Sequence, residues 1–184
     1  ILKTRRFGYD GKGQVKLESA SQAEDIWKDS SAKDLILEGF VNFSHEFSVI
    51  GARSKDGEIS CFDPGENVHK EGILRTTTVP ANLTVQQKTE AVLITAKILE
   101  SLNYVGVIGI EFFLEKGSLV INEFAPRVHN SGHWTQNGCI VDQFEQHIRA
   151  ITGWKLGNAE RHSDIIMENL IGDEIYKTNK LVAD

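Results

Sequence analysis

The chain has 184 residues, of which 40% are apolar and 25% charged, the composition of an ordinary globular protein. Its formal net charge is −6 and it has no run of basic residues, which argues against a nucleic-acid partner. No stretch approaches the about 18 consecutive apolar residues of a membrane span, so a membrane partner is not expected either.

Two short strands and a helix are the first predicted elements. Residues 1–6 and 15–18 have strand patterns on either side of a glycine-rich segment. Ser21, with Glu24 three positions later, forms a capping-box pattern, which predicts a helix over residues 21–31. Because the chain opens inside a strand and without Met, we expect an N-terminally truncated fragment.

One long helix follows a group of short strands. The strands are predicted over residues 35–37, 46–54 and 59–63. Thr84 and Gln87 form a second capping-box pattern, which predicts a helix over residues 84–102.

The C-terminal half contains a predicted hairpin and a second capped helix. Strands are expected over residues 105–114 and 119–124, around Lys116-Gly117. Asp142 is the predicted N-cap of a helix that Gly153 ends. The inward face of this helix is expected to carry Phe144, Ile148 and Ile151.

Strand pairs with segregated helices predict an α+β fold class with an antiparallel sheet, not a doubly wound parallel sheet. We expect one domain over residues 1–157. Residues 158–184, with a strand pattern at 165–171, are expected to begin a small C-terminal domain. Cys61 and Cys139 have no metal-ligand spacing, which predicts two free thiols in a reducing cytoplasm.

A glycine-rich segment lies between the first two strands. Its glycines let the backbone turn N–H groups toward an anion, and Lys3 on the preceding strand adds positive charge. It is neither a Walker A loop nor a dinucleotide fingerprint, because a strand and not a helix follows it. Both a phosphate-binding loop and a flexible hairpin tip fit this pattern. The segment consists of Gly8, Tyr9, Asp10, Gly11, Lys12, Gly13 and Gln14.

A second candidate site follows the third strand. Its backbone groups can meet an adenine edge, and the carboxylate of Glu46 can bind a ribose. A surface loop with two acidic residues explains the same pattern. The segment consists of Glu38, Gly39, Phe40 and Val41.

The predicted hairpin holds a pair of glutamates. If Lys116-Gly117-Ser118 is a three-residue loop, Glu111 lies directly opposite Glu123, with Cβ atoms roughly 5 Å apart. Two facing carboxylates repel each other, so a cation between them is the natural explanation, and their hard oxygens suit Mg²⁺ shared with phosphates. A longer loop would shift the register by one residue and send one glutamate to the other face.

Polar side chains are dense in the loop directly after this hairpin. A guanidinium, an amide, a hydroxyl and two imidazoles beside the glutamates predict a ligand site. A zinc site at the two histidines and simple capping of the next segment stay open as alternatives. The loop consists of Arg127, Val128, His129, Asn130, Ser131, Gly132 and His133.

In chain order, these segments resemble the 5-(carboxyamino)imidazole ribonucleotide synthases, a family of ATP-grasp ligases in purine biosynthesis. The most specific segment is Asn122-Glu123-Phe124-Ala125-Pro126-Arg127, followed by His129 to His133. Further likeness lies in Lys3-Thr4-Arg5, in Glu66-Asn67-Val68-His69 and in residues 143–151.

The resemblance implies an ATP-grasp fold and a reaction. ATP and bicarbonate would form carboxyphosphate, and carboxyphosphate, or the CO₂ released from it, would carboxylate the amino group of 5-aminoimidazole ribonucleotide. ADP and phosphate would be the other products. The resemblance also implies Mg²⁺ as the metal and a homodimer as the assembly.

The same resemblance assigns roles to residues. ATP phosphates would be held by Lys3 and the loop Gly8 to Gln14. The adenine would be met by Glu38 to Val41 and the ribose by Glu46, and His69 would line the nucleotide site. Mg²⁺ would be bound by Glu111 and Glu123, beside Asn122. The aminoimidazole ribonucleotide and the carboxylating agent would be faced by Asp10, Arg127, His129 and Asn130.

Two parts of the family pattern are missing from this sequence, an N-terminal domain and a C-terminal Tyr-Gly-Lys-like motif whose lysine helps to bind the substrate phosphate. The chain is therefore expected to be a fragment, or unable to turn over alone. One alternative is another ATP-grasp ligase, such as a formate-dependent glycinamide ribonucleotide transformylase, which would lack the run from His129 to His133. Another is a nucleotide-binding module without catalysis.

Overall fold

The computed structural model describes residues 1–5, 13–29 and 34–180. The chain folds as two units. The first contains Ile1–Asn42 and His69–Ile73, and the second contains Phe43–Val68 and the residues from Leu74 onward. The boundary predicted after residue 157 stays a prediction.

The first unit holds a three-stranded antiparallel sheet and one helix. Its elements are β1 (Leu2–Thr4), β2 (Gln14–Val15), α1 (Ala20–Asp29) and β3 (Leu35–Leu37), with β1 between β2 and β3. The capping box predicted at Ser21 is wrong, because the helix already begins at Ala20. The side chain of Gln22 reaches back from the first turn, and its Oε1 accepts a hydrogen bond from the Glu18 N–H at 2.7 Å.

The second unit is built on a larger sheet. Its strands are β4 (His45–Arg53), β5 (Ile59–Cys61), β6 (Gly65–Lys70), β7 (Ile73–Val79), β8 (Gly106–Glu115), β9 (Ser118–Ala125) and β10 (Ile165–Glu168). They run in the order β10-β7-β6-β4-β8-β9, and β5 pairs with β4. The sequence did not predict β6, whose buried positions are Gly65 and Asn67 rather than apolar side chains, or β7.

Helices follow the strands in segregated blocks. They are α2 (Val85–Ser101), α3 (Thr135–Gly138) and α4 (Gln143–Thr152). The capping box at Thr84 and Gln87 is confirmed, with both reciprocal hydrogen bonds present. Asp142 caps α4 as predicted, and Gly153 ends it in the left-handed conformation. The α+β prediction is therefore confirmed, and none of the helices in the described ranges is long and apolar enough to span a membrane.

The two faces of β4 and β8 differ in chemistry. One face packs its buried apolar residues against α2, where Ala91 and Leu99 are fully buried. The other face carries Glu46 and Ser48 on β4 and Glu111 on β8, with Ser48 directly paired to Glu111. Since side chains alternate along a strand, the face packed on α2 anchors the sheet, and the other face, which is apolar at its Ile50, Ala52 and Val107 end, leaves its polar end for a site.

The inward face predicted for α4 is wrong. Its buried residues are Gln143, Gln146 and Ala150. The apolar residues expected inside are 37%, 52% and 39% exposed, in the order Phe144, Ile148 and Ile151. The glutamines can be buried because their side-chain amides bind backbone groups, which removes the cost of burying a polar group.

Candidate functional site

The hairpin that carries the two glutamates closes with a shorter turn than predicted. Glu115 pairs with Ser118, so the turn has the two residues Lys116 and Gly117, with φ of 50° and 86°. Positive φ at both positions is what a type I′ hairpin turn requires. The prediction of a three-residue loop is therefore wrong.

A β-bulge restores the predicted register further along the hairpin. Phe112 pairs with Ile121, and the next pair is Glu111 with Glu123, so Asn122 is an extra residue. Without the bulge, Glu111 would face Asn122, and Glu123 would point to the other side of the sheet. The predicted pairing of the glutamates is confirmed, although the turn expected to produce it is wrong.

Glu111 is surrounded by polar groups that the bulge and the next loop supply. The Asn122 amide donates to Glu111 Oε2 at 3.4 Å, and His129 Nε2 lies 3.5 Å from Glu111 Oε1. The side chain of Glu111 is only 18% exposed. A carboxylate removed from water in this way needs such partners, or a cation, to stay ionised.

His129 is buried on the polar face of the sheet. Its Nδ1 lies 2.8 Å from Ser131 Oγ, and Ser48 Oγ donates to the same hydroxyl at 2.7 Å. A Cβ on Gly109 would lie 2.7 Å from the Cβ of His129, so this strand position has room for glycine alone. The imidazole is therefore held beside Glu111 by Ser48, Ser131 and Gly109.

The chain between β9 and His129 places Arg127 at the surface. The Tyr104 hydroxyl donates to the Pro126 carbonyl at 2.7 Å, which ties this exit to the segment before β8. Arg127 Nη1 donates to the Val128 carbonyl at 2.9 Å, and the guanidinium is exposed. The half-buried Asn130 turns its Oδ1 back to accept from the Ser131 N–H at 2.9 Å.

His133 lies apart from His129. Its ring stacks on Phe144, with centroids 5.9 Å apart, and partial burial lowers the pKa of this imidazole. His129 instead faces Glu111 and Ser131. The two imidazoles thus have different neighbours, which gives the zinc alternative no support, and the described ranges contain no group of three or more His, Cys, Asp or Glu that could hold a metal ion.

Glu46 shares the polar face with Glu111. It pairs with Phe113 on β8 and with Asn67 on β6, and it is half-buried. His69, also half-buried, lies on β6 in the part of that strand that belongs to the first unit.

Other predicted nucleotide residues lie in the first unit. Lys3 Nζ lies 2.7 Å from Glu38 Oε2, so two predicted site residues form an ion pair. Phe40 is 59% exposed, with Lys16 Nζ 4.7 Å from its ring centroid. Gly39 faces open space, and Val41 is half-buried.

The glycine-rich segment is only partly described. Gly13 has a φ of 78° and leads into β2, where Gln14 pairs with Lys3. The rest of the segment lies outside the described residues, and its roles stay predictions. These residues are Gly8, Tyr9, Asp10, Gly11 and Lys12.

Sequence reasoning missed three residues that hold the site together. Ser48, Tyr104 and Gln143 bond to Ser131, Pro126 and His129 in that order. Ser48 alternates with apolar residues in a predicted strand, and Gln143 directly follows a predicted N-cap. Neither position marks a polar residue as buried, so only the contacts identify them.

Comparisons with known proteins agree with this arrangement. A family model described as an ATP-grasp domain matches residues 1–144. The chain is 55% identical, over its whole length, to N5-carboxyaminoimidazole ribonucleotide synthase from Brucella melitensis, of which it covers 52%.

Two solved structures are similar as well. The N5-carboxyaminoimidazole ribonucleotide synthetase from Thermus thermophilus has a TM-score of 0.84 and 40% identity, over 92% of this chain and 46% of its own. An N5-carboxyaminoimidazole synthase from Aspergillus clavatus, in complex with ADP and 5-aminoimidazole ribonucleotide, has a TM-score of 0.88 and 27% identity, over 99% and 50%. This chain thus spans about half the length of its relatives.

Proposed function

This chain belongs to the ATP-grasp family, and we propose that the full-length protein uses ATP to join bicarbonate to the amino group of 5-aminoimidazole ribonucleotide. One observation carries the proposal: Glu111 pairs with Glu123 directly before the loop that holds Arg127 and His129. The relative from Brucella melitensis and the ligands of the Aspergillus clavatus structure support this choice of substrates.

In the first step, a bicarbonate oxygen attacks the γ-phosphorus of ATP, the bond to ADP breaks, and carboxyphosphate forms. Glu111 and Glu123 would hold Mg²⁺, whose preference for hard oxygen ligands fits two facing carboxylates. When bound, this ion neutralises charge on the phosphates. Through that ion, the two carboxylates would set where the phosphates lie.

We propose that a second group of residues positions ATP. Lys3 and the loop of residues 8–14 supply positive charge and backbone N–H groups to the phosphates. Residues 38–41 meet the adenine, Glu46 binds the ribose, and His69 lines the nucleotide site. The ion pair between Lys3 on β1 and Glu38, directly after β3, supports a shared role for these two segments.

In the second step, the amine of the acceptor attacks the carboxyl carbon, the bond to phosphate breaks, and the amine loses a proton. Carboxyphosphate is an anion with planar oxygens, which the exposed guanidinium of Arg127 can bind in a bidentate manner. We propose that His129 orients the acceptor or takes the proton, and that Asn130 and Asp10 complete this pocket.

We further propose that the enzyme is a cytoplasmic homodimer. The free thiols of Cys61 and Cys139 support a reducing compartment. The family resemblance supports the dimer. Light scattering on the full-length protein tests it, and the mass of a monomer would be the contrary result.

ADP release by the full-length protein tests the function. We expect release that needs bicarbonate and rises when 5-aminoimidazole ribonucleotide is added. Release that needs formate and glycinamide ribonucleotide would identify the other ligase class. Nucleotide binding without any ADP release would identify a binding module.

A further inference from the structure

Helix α4 presents two buried glutamines, three residues apart, to the rest of the second unit. Gln143 and Gln146 are both fully buried. A side-chain amide has a donor and an acceptor in the geometry of a peptide group, so it can bind the N–H and the C=O of one residue at once. Both glutamines do so, but on different segments.

Gln143 binds the backbone of His129 at both polar groups. Its Oε1 accepts from the His129 N–H at 2.9 Å, and its Nε2 donates to the His129 carbonyl at 2.7 Å. The backbone N–H of Gln143 donates to Thr135 Oγ1 at 3.1 Å, and Thr135 in turn donates to the Gly132 carbonyl at 2.7 Å. The loop is therefore tied to the start of α4 at His129 and again at Gly132.

The side chains of Gln143 and His129 are packed tightly against neighbouring glycines. A Cβ on Gly132 would lie 2.6 Å from Gln143 Oε1, and a Cβ on Gly109 would lie 2.7 Å from the Cβ of His129. The backbone of His129 is thus held between α4 and β8. Its ring lies beside Ser131 and Glu111.

We infer that Gln143 is a positioning residue of the reaction, which fixes His129 against Glu111 without touching a substrate. The inference rests on the proposed function, because that function is what gives His129 its role. A misplacement of a reacting group by about 1 Å can lower a rate about 100-fold, so a backbone clamp of this kind has kinetic consequences.

Gln146 is a matched control within the same helix. Its Nε2 donates to the Gly157 carbonyl at 2.9 Å, and its Oε1 accepts from the Gly157 N–H at 2.7 Å. Burial, residue type and bonding pattern are the same as for Gln143. Gly157 lies in the segment after α4, to which no site role is assigned.

Gln143→Met and Gln146→Met in the full-length protein test the inference. Methionine keeps the length of the side chain and removes both hydrogen bonds, so the two variants should lose similar thermal stability. We expect kcat for carboxylation to fall about 10- to 100-fold in Gln143→Met only. Losses of this size are typical when a residue that orients a functional group, without touching the substrate, is replaced. The KM for ATP should stay within about threefold in both. If either methionine variant does not fold, Gln143→Glu and Gln146→Glu, which keep the acceptor, replace the pair.

Hydrogen exchange at the His129 amide gives a readout that does not need activity. This amide should exchange faster in Gln143→Met than in wild type. In Gln146→Met its exchange rate should equal that of wild type. Equal kcat in the two variants would overturn the inference, as would unchanged exchange at His129. A wild-type protein that fails to carboxylate 5-aminoimidazole ribonucleotide would instead overturn the proposed function, while the exchange result would still decide whether Gln143 holds His129.

Discussion

Glu111 lies directly opposite Glu123, although the turn between their strands has only two residues. The register near this turn would place Asn122 opposite Glu111. A bulge at Asn122 instead adds its amide beside the Glu111 carboxylate and keeps Glu123 in place. Bulges of this kind re-aim side chains next to active sites, and this one brings the Asn122 amide against Glu111 while Glu123 stays paired with that residue.

Replacing Glu123 by glutamine should abolish most ATP turnover with the fold intact. The change removes one carboxylate of the proposed metal pair, and a catalytic metal supplies several kcal/mol of charge stabilisation, so we expect a loss of about 100-fold or more in kcat. Glu115→Gln on the same hairpin, beside the turn, is the matched control and should be close to wild type. Equal activity of the two variants would contradict the metal-pair proposal.

Adding one methyl group at Gly109 should displace His129. Its new Cβ would lie 2.7 Å from the Cβ of His129, and such overpacking costs about 1–3 kcal/mol. We therefore expect Gly109→Ala to lower both the free energy of unfolding and kcat, measured by urea denaturation and steady-state kinetics.

Gly51→Ala separates the loss of stability from the loss of turnover. A Cβ there would lie 2.7 Å from Thr95 Cγ2, on the α2 side of the sheet, so the overlap is equal and the site is untouched. This variant should lose similar stability and keep kcat. If both alanine variants lose kcat equally, the packing of His129 against Gly109 does not contribute to catalysis.

Replacing Arg127 by lysine should affect the acceptor and not ATP. Lysine keeps the charge but cannot bind an anion with two parallel hydrogen bonds. We expect carboxylation to fall about 100-fold, with the KM for ATP within about threefold of wild type. Arg149→Lys, in a surface ion pair with Glu145, is the control and should be near wild type. A raised KM for ATP as the main effect would place Arg127 in the nucleotide site.

The sequence predicted elements that depend on local chemistry. The capping bonds of Thr84 and Asp142 join residues close in the chain, so their residue types predicted them, whereas the same kind of pattern at Ser21 failed because α1 begins one residue earlier. The ATP-grasp assignment and the resemblance to the synthase family are confirmed by the comparisons. These rest on ordered strings of residues, not on a single motif.

What the sequence did not predict depends on distant partners. Asn122 is an ordinary strand position until the turn length is known. Gln143 and Gln146 are buried only because they bind His129 and Gly157, so the apolar pattern of α4 predicted the wrong face. A periodic pattern cannot report which polar groups will find a backbone partner.

The two cysteines predict how stability changes at high pH. Burial raises the pKa of Cys61 to about 12, and burial, with Asp63 nearby, raises that of Cys139 to about 11. Both lie above the unfolded value of 9.0, so the unfolded state loses protons first as the pH rises. The contribution of the two protonated thiols to the free energy of unfolding is present below pH 9.0 and is lost as the pH rises toward the pKa values of the folded state.

Alkylation and denaturation check this prediction. At pH 8, iodoacetamide should label both thiols slowly in the folded protein and quickly in urea, since only the thiolate reacts. The free energy of unfolding should fall between pH 9 and pH 11, and Cys139→Ala should reduce that fall. Fast labelling of either folded thiol at pH 8 would contradict the raised pKa values.

Oxygen transfer from bicarbonate tests the central claim most directly. Full-length protein would be incubated with ATP, 5-aminoimidazole ribonucleotide and ¹⁸O-labelled bicarbonate, and the released phosphate analysed by mass spectrometry. If a bicarbonate oxygen attacks the γ-phosphorus, each turnover leaves one labelled oxygen in the phosphate, with ADP and carboxylated nucleotide formed in equal amounts. Unlabelled phosphate, or ADP release that does not depend on bicarbonate, would contradict the account.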